Sequence, residues 1–313
     1  MTLSRRTWLL GSFASLLRAG DDAAGILRAG GRVDRDSSGA ITAIHLGDTF
    51  VNDADLLDLL AFKKLATLDL SHTRISDEGL LRLKPAIQIE DLSLLYAELI
   101  TDLGMNAIKG WGRLKRLNLR GTRVANDALV IVGGLQQLES LDVAYTRITD
   151  DGLENLAPLT HLKQLALPRS QISENAIGRL RVLSTLQSLD LAGPAGRNPR
   201  KGASAPMRDD ALSAIASLED LRVLKLGYSN IDGRGLARLA VLPKVERLGL
   251  ECCQRVNDEA LQALLNWKSL RLLDVQETEV TEAGIAAFQK SRPGVRILSG
   301  PFPAASNSAR SQN

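Results

Sequence analysis

Cysteine is nearly absent from these 313 residues: Cys252 and Cys253 are the only two, and they are adjacent. Sequence neighbours rarely bridge each other, which excludes a disulfide framework and argues against a metal site. Charge of one sign is lacking too. The 39 basic and 36 acidic side chains leave a net charge of +3, a weak footprint for a nucleic-acid binder. No apolar run approaches the roughly 18 residues that span a bilayer. Catalytic patterns are also missing, with no G-x-S-x-G elbow, no H-E-x-x-H and no G-x-x-x-x-G-K phosphate loop. His45, His72 and His161 stand far apart, with no cysteine or carboxylate at ligand spacing. Aromatics are scarce at 4%, yet 44% of the chain is hydrophobic, ample for a large core.

The first residues, "MTLSRRTWLLGSFASLLRAG", place Arg5-Arg6 before an apolar stretch from Trp8 to Leu17, with Arg18 behind it. Ser4-Arg5-Arg6-Thr7-Trp8-Leu9 resembles the twin-arginine export signal of bacteria, a receptor-read address rather than an anchor. No clean A-x-A cleavage site follows, and a cytosolic leader helix is the competing reading. Residues 1–20 are assigned to this segment, with export to the periplasm or beyond as the expectation.

What the chain has in abundance is one phrase. "LDLSHTRISDEGL" from Leu68, "LNLRGTRVANDAL" from Leu117 and "LDVAYTRITDDGL" from Leu141 are variants of it. Aligning on the first residue of L-x-L gives Ile44, Leu68, Leu92, Leu117, Leu141, Leu165, Leu189, Leu224, Leu248 and Leu273. The steps are 24, 24, 25, 24, 24, 24, 35, 24 and 25 residues. A truncated eleventh copy, "VRIL", ends at Leu298. Within each unit L-x-x-L-x-L alternates like a strand with one buried face. The leucines after the Ser/Thr/Asp pair then recur at helical spacing, and that pair offers acceptors to free N–H groups at a helix start. Each strand is reached by a crossover, so successive strands run parallel. A lone unit cannot cover its apolar face, and stacked units can, so the array is a solenoid.

The pattern L-x-x-L-x-L-x-x-T-x-I-T-D-x-G-L resembles the leucine-rich repeat, more narrowly the bacterial variant with Thr where relatives carry Asn. "LGLECCQRVNDEAL" from Leu248, with Cys253 in the Thr column, is similar to the cysteine-containing subtype of F-box leucine-rich proteins, although no F-box is evident. The resemblance covers about residues 41–298. It implies an α/β right-handed solenoid of about ten repeats, with a curved parallel sheet on the concave face and short helices on the convex face. It also implies a binding scaffold rather than an enzyme.

Stacking turns each repeat position into a column. Thr49, Thr73, Thr122, Thr146 and Thr278, with Ser170 and Ser229, read as structural, their hydroxyls serving loop backbone groups in neighbouring coils. Trp111 and Trp267 share a column with Phe62 and leucines and belong to the core. On the outward strand face, Asp69, Asp142, Asp190 and Asp274 form either a mildly acidic stripe or simply a wet sheet surface. The next column holds His72, Tyr96, Tyr145, Arg169, Tyr228 and Cys252, and it contains all three tyrosines of the chain. Tyrosine offers apolar area and a hydroxyl at low entropic cost and is enriched at binding surfaces. It also covers sheet edges, so both readings stand. The 35-residue step carries an insertion over about residues 194–206 with Arg197, Arg200 and Lys201, either a binding loop or a tolerated one.

Residues 21–40 read as a cap with a hairpin turning at Asp36 to Gly39, and residues 299–313 as a disordered tail. No cofactor is expected. The leading function is a monomeric, exported scaffold that presents its concave face to a protein or peptide, with neither nucleic acid nor a membrane span involved. His72, Tyr96, Tyr145, Arg169, Tyr228, Asp142, Asp190, Arg197, Arg200 and Lys201 are the candidate contacts. A cytosolic adaptor on the same scaffold is the alternative.

Overall fold

The computed structural model describes residues 23–168, 172–193 and 209–301. Arg169, Arg197, Arg200 and Lys201 therefore lie outside the described residues, as do the leader and the tail. Strand β1 (Arg32–Arg35) pairs antiparallel with β2 (Ile41–His45), joined by a turn in which Asp36 accepts the Ser38 and Ala40 amides. Ten short strands follow in parallel: β3 (Thr67–Asp69), β4 (Asp91–Ser93), β5 (Arg116–Asn118), β6 (Ser140–Asp142), β7 (Gln164–Ala166), β8 (Ser188–Asp190), β9 (Val223–Lys225), β10 (Arg247–Gly249), β11 (Leu272–Asp274) and β12 (Arg296–Leu298). They form one sheet whose spatial order is the sequence order.

Register explains why the first leucine of each repeat is so regular. Ile44 faces Leu68, Leu68 faces Leu92, and the row continues to Leu273 and Ile297 without a slip. Even across the 35-residue step, Leu189 faces Leu224. A one-residue slip would turn the buried leucines outward. The return path of each repeat is a short α or 3₁₀ helix, such as Asp77–Arg82, Asn126–Val132, Asp150–Leu156 and Asp258–Leu264. Between sheet and helices runs one continuous core from Ile26 to Val295, including Trp111 and Trp267. Trp111 donates its indole N–H to the Lys84 carbonyl at 3.3 Å.

Two local expectations are corrected. The threonines of the column do not reach into neighbouring coils. Each threonine hydroxyl donates to the carbonyl three residues back in its own coil, as Thr73 does to Leu70 at 2.7 Å and Thr146 to Val143 at 2.6 Å, whereas Ser229 and Cys253 meet across two coils at 3.5 Å. The chain turns there tightly enough to bring that carbonyl over the side chain. Capping is also more often between repeats than within them. Asp77 accepts the Thr101 amide at 2.8 Å and its hydroxyl at 2.6 Å, and Asp258 serves Thr281 at the same two distances. Asp53 holds Ser76 and Asp150 holds Ser173 in the same way. Asp77, Asp150 and Asp258 lie one residue past their own cap positions, so their carboxylates overhang the next repeat. Where Gly233 replaces such an aspartate, Asp232 caps its own helix through the Arg234 and Gly235 amides.

Candidate functional site

The tyrosine column is a turn position. In five coils the residue after it donates its amide back across the turn, as Thr122 does to Leu119 at 3.1 Å and Ser229 to Leu226 at 3.1 Å. That closure places the column residue third in a four-residue turn, where a positive φ is required. Asp48, His72, Tyr96, Tyr145, Tyr228, Cys252 and Glu277 all have φ between 52° and 61°, and Gly121 has 73°. Their amides still donate to the next repeat, Tyr96 to Arg120 at 2.7 Å and Tyr145 to Pro168 at 2.8 Å. The left-handed region costs a side chain on the order of 1 kcal/mol, and glycine would satisfy it without that cost. Bulky tyrosines here are held against the backbone's preference.

The rings meet. His72 stacks on Tyr96 with centroids 5.2 Å apart and planes at 29°. Tyr96 and Tyr145 sit two strands apart, about 9.6 Å if they stood upright, yet their centroids are 6.3 Å apart in an edge contact. Gly121 makes this possible, because a Cβ there would lie 2.2 Å from Tyr96 Cδ1. The Arg120 guanidinium lies 5.4 Å from the Tyr145 ring centroid and bonds Asp142 through Nε at 2.9 Å. A row of three rings and one cation thus runs across the strands. His72, Arg74, Tyr96, Glu98 and Leu99 border an open groove of about 510 Å³ beside it.

Tyr228 stands away from this row, three strands beyond Tyr145. It hydrogen-bonds the Cys252 thiol, which burial nevertheless pushes above the ordinary thiol range. Burial pushes Cys253 up to about 12, and its thiol donates to the Leu226 carbonyl at 3.3 Å. The aspartates of the strand face do structural work. Asp142 Oδ1 accepts the Ala144 amide and Asp190 Oδ1 the Ala192 amide, each ending its strand. Their other oxygens meet Arg120 and, at 3.3 Å, Lys225. Two of the four aspartates of the stripe are thus ion-paired. Glu251, by contrast, is half-buried against Gly227 and Gly249, and desolvation raises its pKa.

One part of the surface escaped the column reading. Arg74, Arg123 and Arg147 each follow the threonine, all exposed and without an ion pair among the described residues. The signal was in the repeated phrase itself, as "HTRI", "GTRV" and "YTRI". Among the described residues, no cluster of His, Cys, Asp or Glu could hold a metal, and no helix is long and apolar enough to cross a membrane.

Residues 63–84 and 135–157 match the Leucine Rich repeat model. The chain folds as a leucine-rich-repeat solenoid. Solved structures agree. Internalin C2 of Listeria monocytogenes superposes with a TM-score of 0.51 at 24% identity, over 67% of this chain and 80% of that one. Internalin InlF of the same organism gives 0.50 at 17% identity, over 90% and 94%. The Arabidopsis receptor kinase HAESA, in complex with the peptide hormone IDA and the co-receptor SERK1, gives 0.53 at 17% identity, over 79% of this chain and 40% of that one. No curated protein matches the chain. These likenesses establish the leucine-rich-repeat fold.

Proposed function

We propose that the protein is a non-enzymatic, monomeric interaction scaffold that binds a protein or peptide along the edge of its concave face. The observation that carries the reading is the contiguous row His72, Tyr96 and Tyr145, kept at left-handed positions where the bare frame favours glycine. Backbone strain retained at a surface points to a use for the side chain. A peptide as partner is in keeping with the fold neighbour HAESA, a receptor kinase solved in complex with the peptide hormone IDA. We assign the chain to the bacterial, threonine-column variant related to the cysteine-containing subtype. We also propose that Arg5-Arg6 and the weak apolar run behind them direct twin-arginine export.

The test compares affinity capture by the full chain and by a Tyr96→Ala/Tyr145→Ala variant of unchanged melting temperature. A partner held by the parent is expected to be lost from the variant. Retention within about twofold removes the row from the interface, because truncating a binding anchor typically costs 2 kcal/mol or more. For export, an Arg5→Lys/Arg6→Lys leader is expected to strand a fused reporter in the cytoplasm. Unchanged export refutes the route, and no export by the native leader favours the cytosolic adaptor.

A further inference from the structure

We infer that the rim carrying Arg74, Arg123 and Arg147 beside the aromatic row binds an extended acidic segment of a partner protein, laid across the strands. This rests on the interaction reading above and specifies the chemistry of its occupant. The three guanidinium groups stand exposed one column outside His72, Tyr96 and Tyr145, and none has an acidic partner among the described residues. Arg120, one strand face away, is already tied to Asp142. An unpaired arginine presents a planar fork of donors suited to a carboxylate. Three of them beside stacked rings define a surface that lacks only its anions.

Spacing narrows the occupant. Arg74 and Arg123 are two strands apart and Arg123 and Arg147 one, about 9.6 Å and 4.8 Å along the solenoid. An extended chain rises about 3.3 Å per residue. Side chains on one face of such a chain recur every second residue, about 6.6 Å, so two acids four residues apart, about 13.2 Å, reach from Arg74 to Arg147, and the Arg123 side chain meets the second of them. Side chains that point the other way fall on the rings. Glu98 occupies the same outer column between Arg74 and Arg123, with Leu99 next to it in the groove. At that point the segment carries a neutral or basic residue rather than another acid. A nucleic acid fits less well, because its phosphates recur uniformly and would meet Glu98 as well as the arginines. The net charge of only +3 adds no long-range pull.

The experiment selects a random peptide library displayed on phage against the full chain. The enriched peptides are then titrated by fluorescence anisotropy. The proteins are the parent, an Arg123→Glu/Arg147→Glu variant, an Arg247→Glu control on the distant, exposed edge of β10, and Tyr228→Ala, which tests the far part of the tyrosine column. Enriched sequences are expected to carry a net negative charge and to weaken with added salt. They should lose at least about tenfold in affinity for the charge-reversed variant, equivalent to 1.4 kcal/mol, while Arg247→Glu binds as the parent does. Melting temperatures confirm folding, which exposed substitutions leave intact. Neutral or basic enriched peptides overturn the inference, as does indifference to the charge reversal. If those peptides instead depend on Tyr228, the scaffold reading survives and only this rim is refuted. Failure to enrich any peptide, or an oligothymidylate that binds the same arginines more tightly than every peptide, also refutes it.

Discussion

Replacing Gly79 with alanine separates two accounts of why a glycine stands inside the helix Asp77–Arg82. Helix propensity alone makes Gly79→Ala stabilising by about 1 kcal/mol. The structure reverses the sign. A Cβ on Gly79 would lie 2.1 Å from Asp53 Oδ1 and 2.5 Å from its Cγ. The new methyl must therefore expel the carboxylate that accepts both the amide and the hydroxyl of Ser76. Two bonds to a charged acceptor contribute about 1.5–3 kcal/mol each in full burial. Asp53 is only half-buried, so about 3 kcal/mol for both is the working figure. Subtracting the propensity gain leaves a net loss of about 2 kcal/mol. Urea titration followed by circular dichroism reads this as a lower midpoint at unchanged slope. The decisive step is the double-mutant cycle. With Asp53→Ala in place the carboxylate is gone and only a Cβ contact of 3.0 Å remains, which a shift of a few tenths of an ångström relieves, so Gly79→Ala should then stabilise by about 1 kcal/mol, a coupling of about 3 kcal/mol. A stabilising Gly79→Ala in the parent background refutes the reasoning. So does a loss that persists without Asp53.

At Tyr145, glycine should outrank alanine by about 1 kcal/mol in urea midpoint, because only glycine relieves the left-handed turn; equal stabilities contradict a strained turn. Glu251 has its pKa raised by burial, so it favours folding at acid pH and loses that contribution as pH rises through its folded-state value. Glu251→Gln should therefore raise the urea midpoint near pH 7 more than near pH 4, and a gain independent of pH would mean that ionisation is not the cause. Burial raises both thiols and pushes Cys253 to about 12, so near pH 8 iodoacetamide should label Cys252 slowly and Cys253 only after unfolding. Mass spectrometry of the native protein counts the adducts, and a second native adduct would show that Cys253 is not sealed.

The frame was readable because a solenoid makes one residue type pay the same role in every coil. The alignment on Ile44, Leu68 and their successors coincides with the strand register. The Asp column was legible as outward-facing but not in its function, since whether a carboxylate ends its own strand or meets a ligand depends on where the next two amides point. The same limit applied at the helix starts. Sequence spacing shows that Asp77 lies near a cap but not that it overhangs Thr101 in the following coil. The tyrosine column was recognised by composition, whereas its left-handed turn, the lean of Tyr96 over Gly121 and the isolation of Tyr228 are facts of three dimensions. The arginine column stands in the repeated phrase itself, yet a charge that recurs in a repeat looks like solvation until its lack of a partner is seen.

The unslipped pairing of β8 with β9 has a practical meaning. Ser188, Leu189 and Asp190 oppose Val223, Leu224 and Lys225 although each pair lies 35 positions apart in the sequence. The sheet is indifferent to the length of chain that joins two of its rungs there, and closing a longer loop costs only about 0.6 kcal/mol per doubling. That joint is thus a natural splice point. A reporter domain or an affinity handle grafted into it would leave the scaffold's frame intact and display the guest from a fixed position along the solenoid.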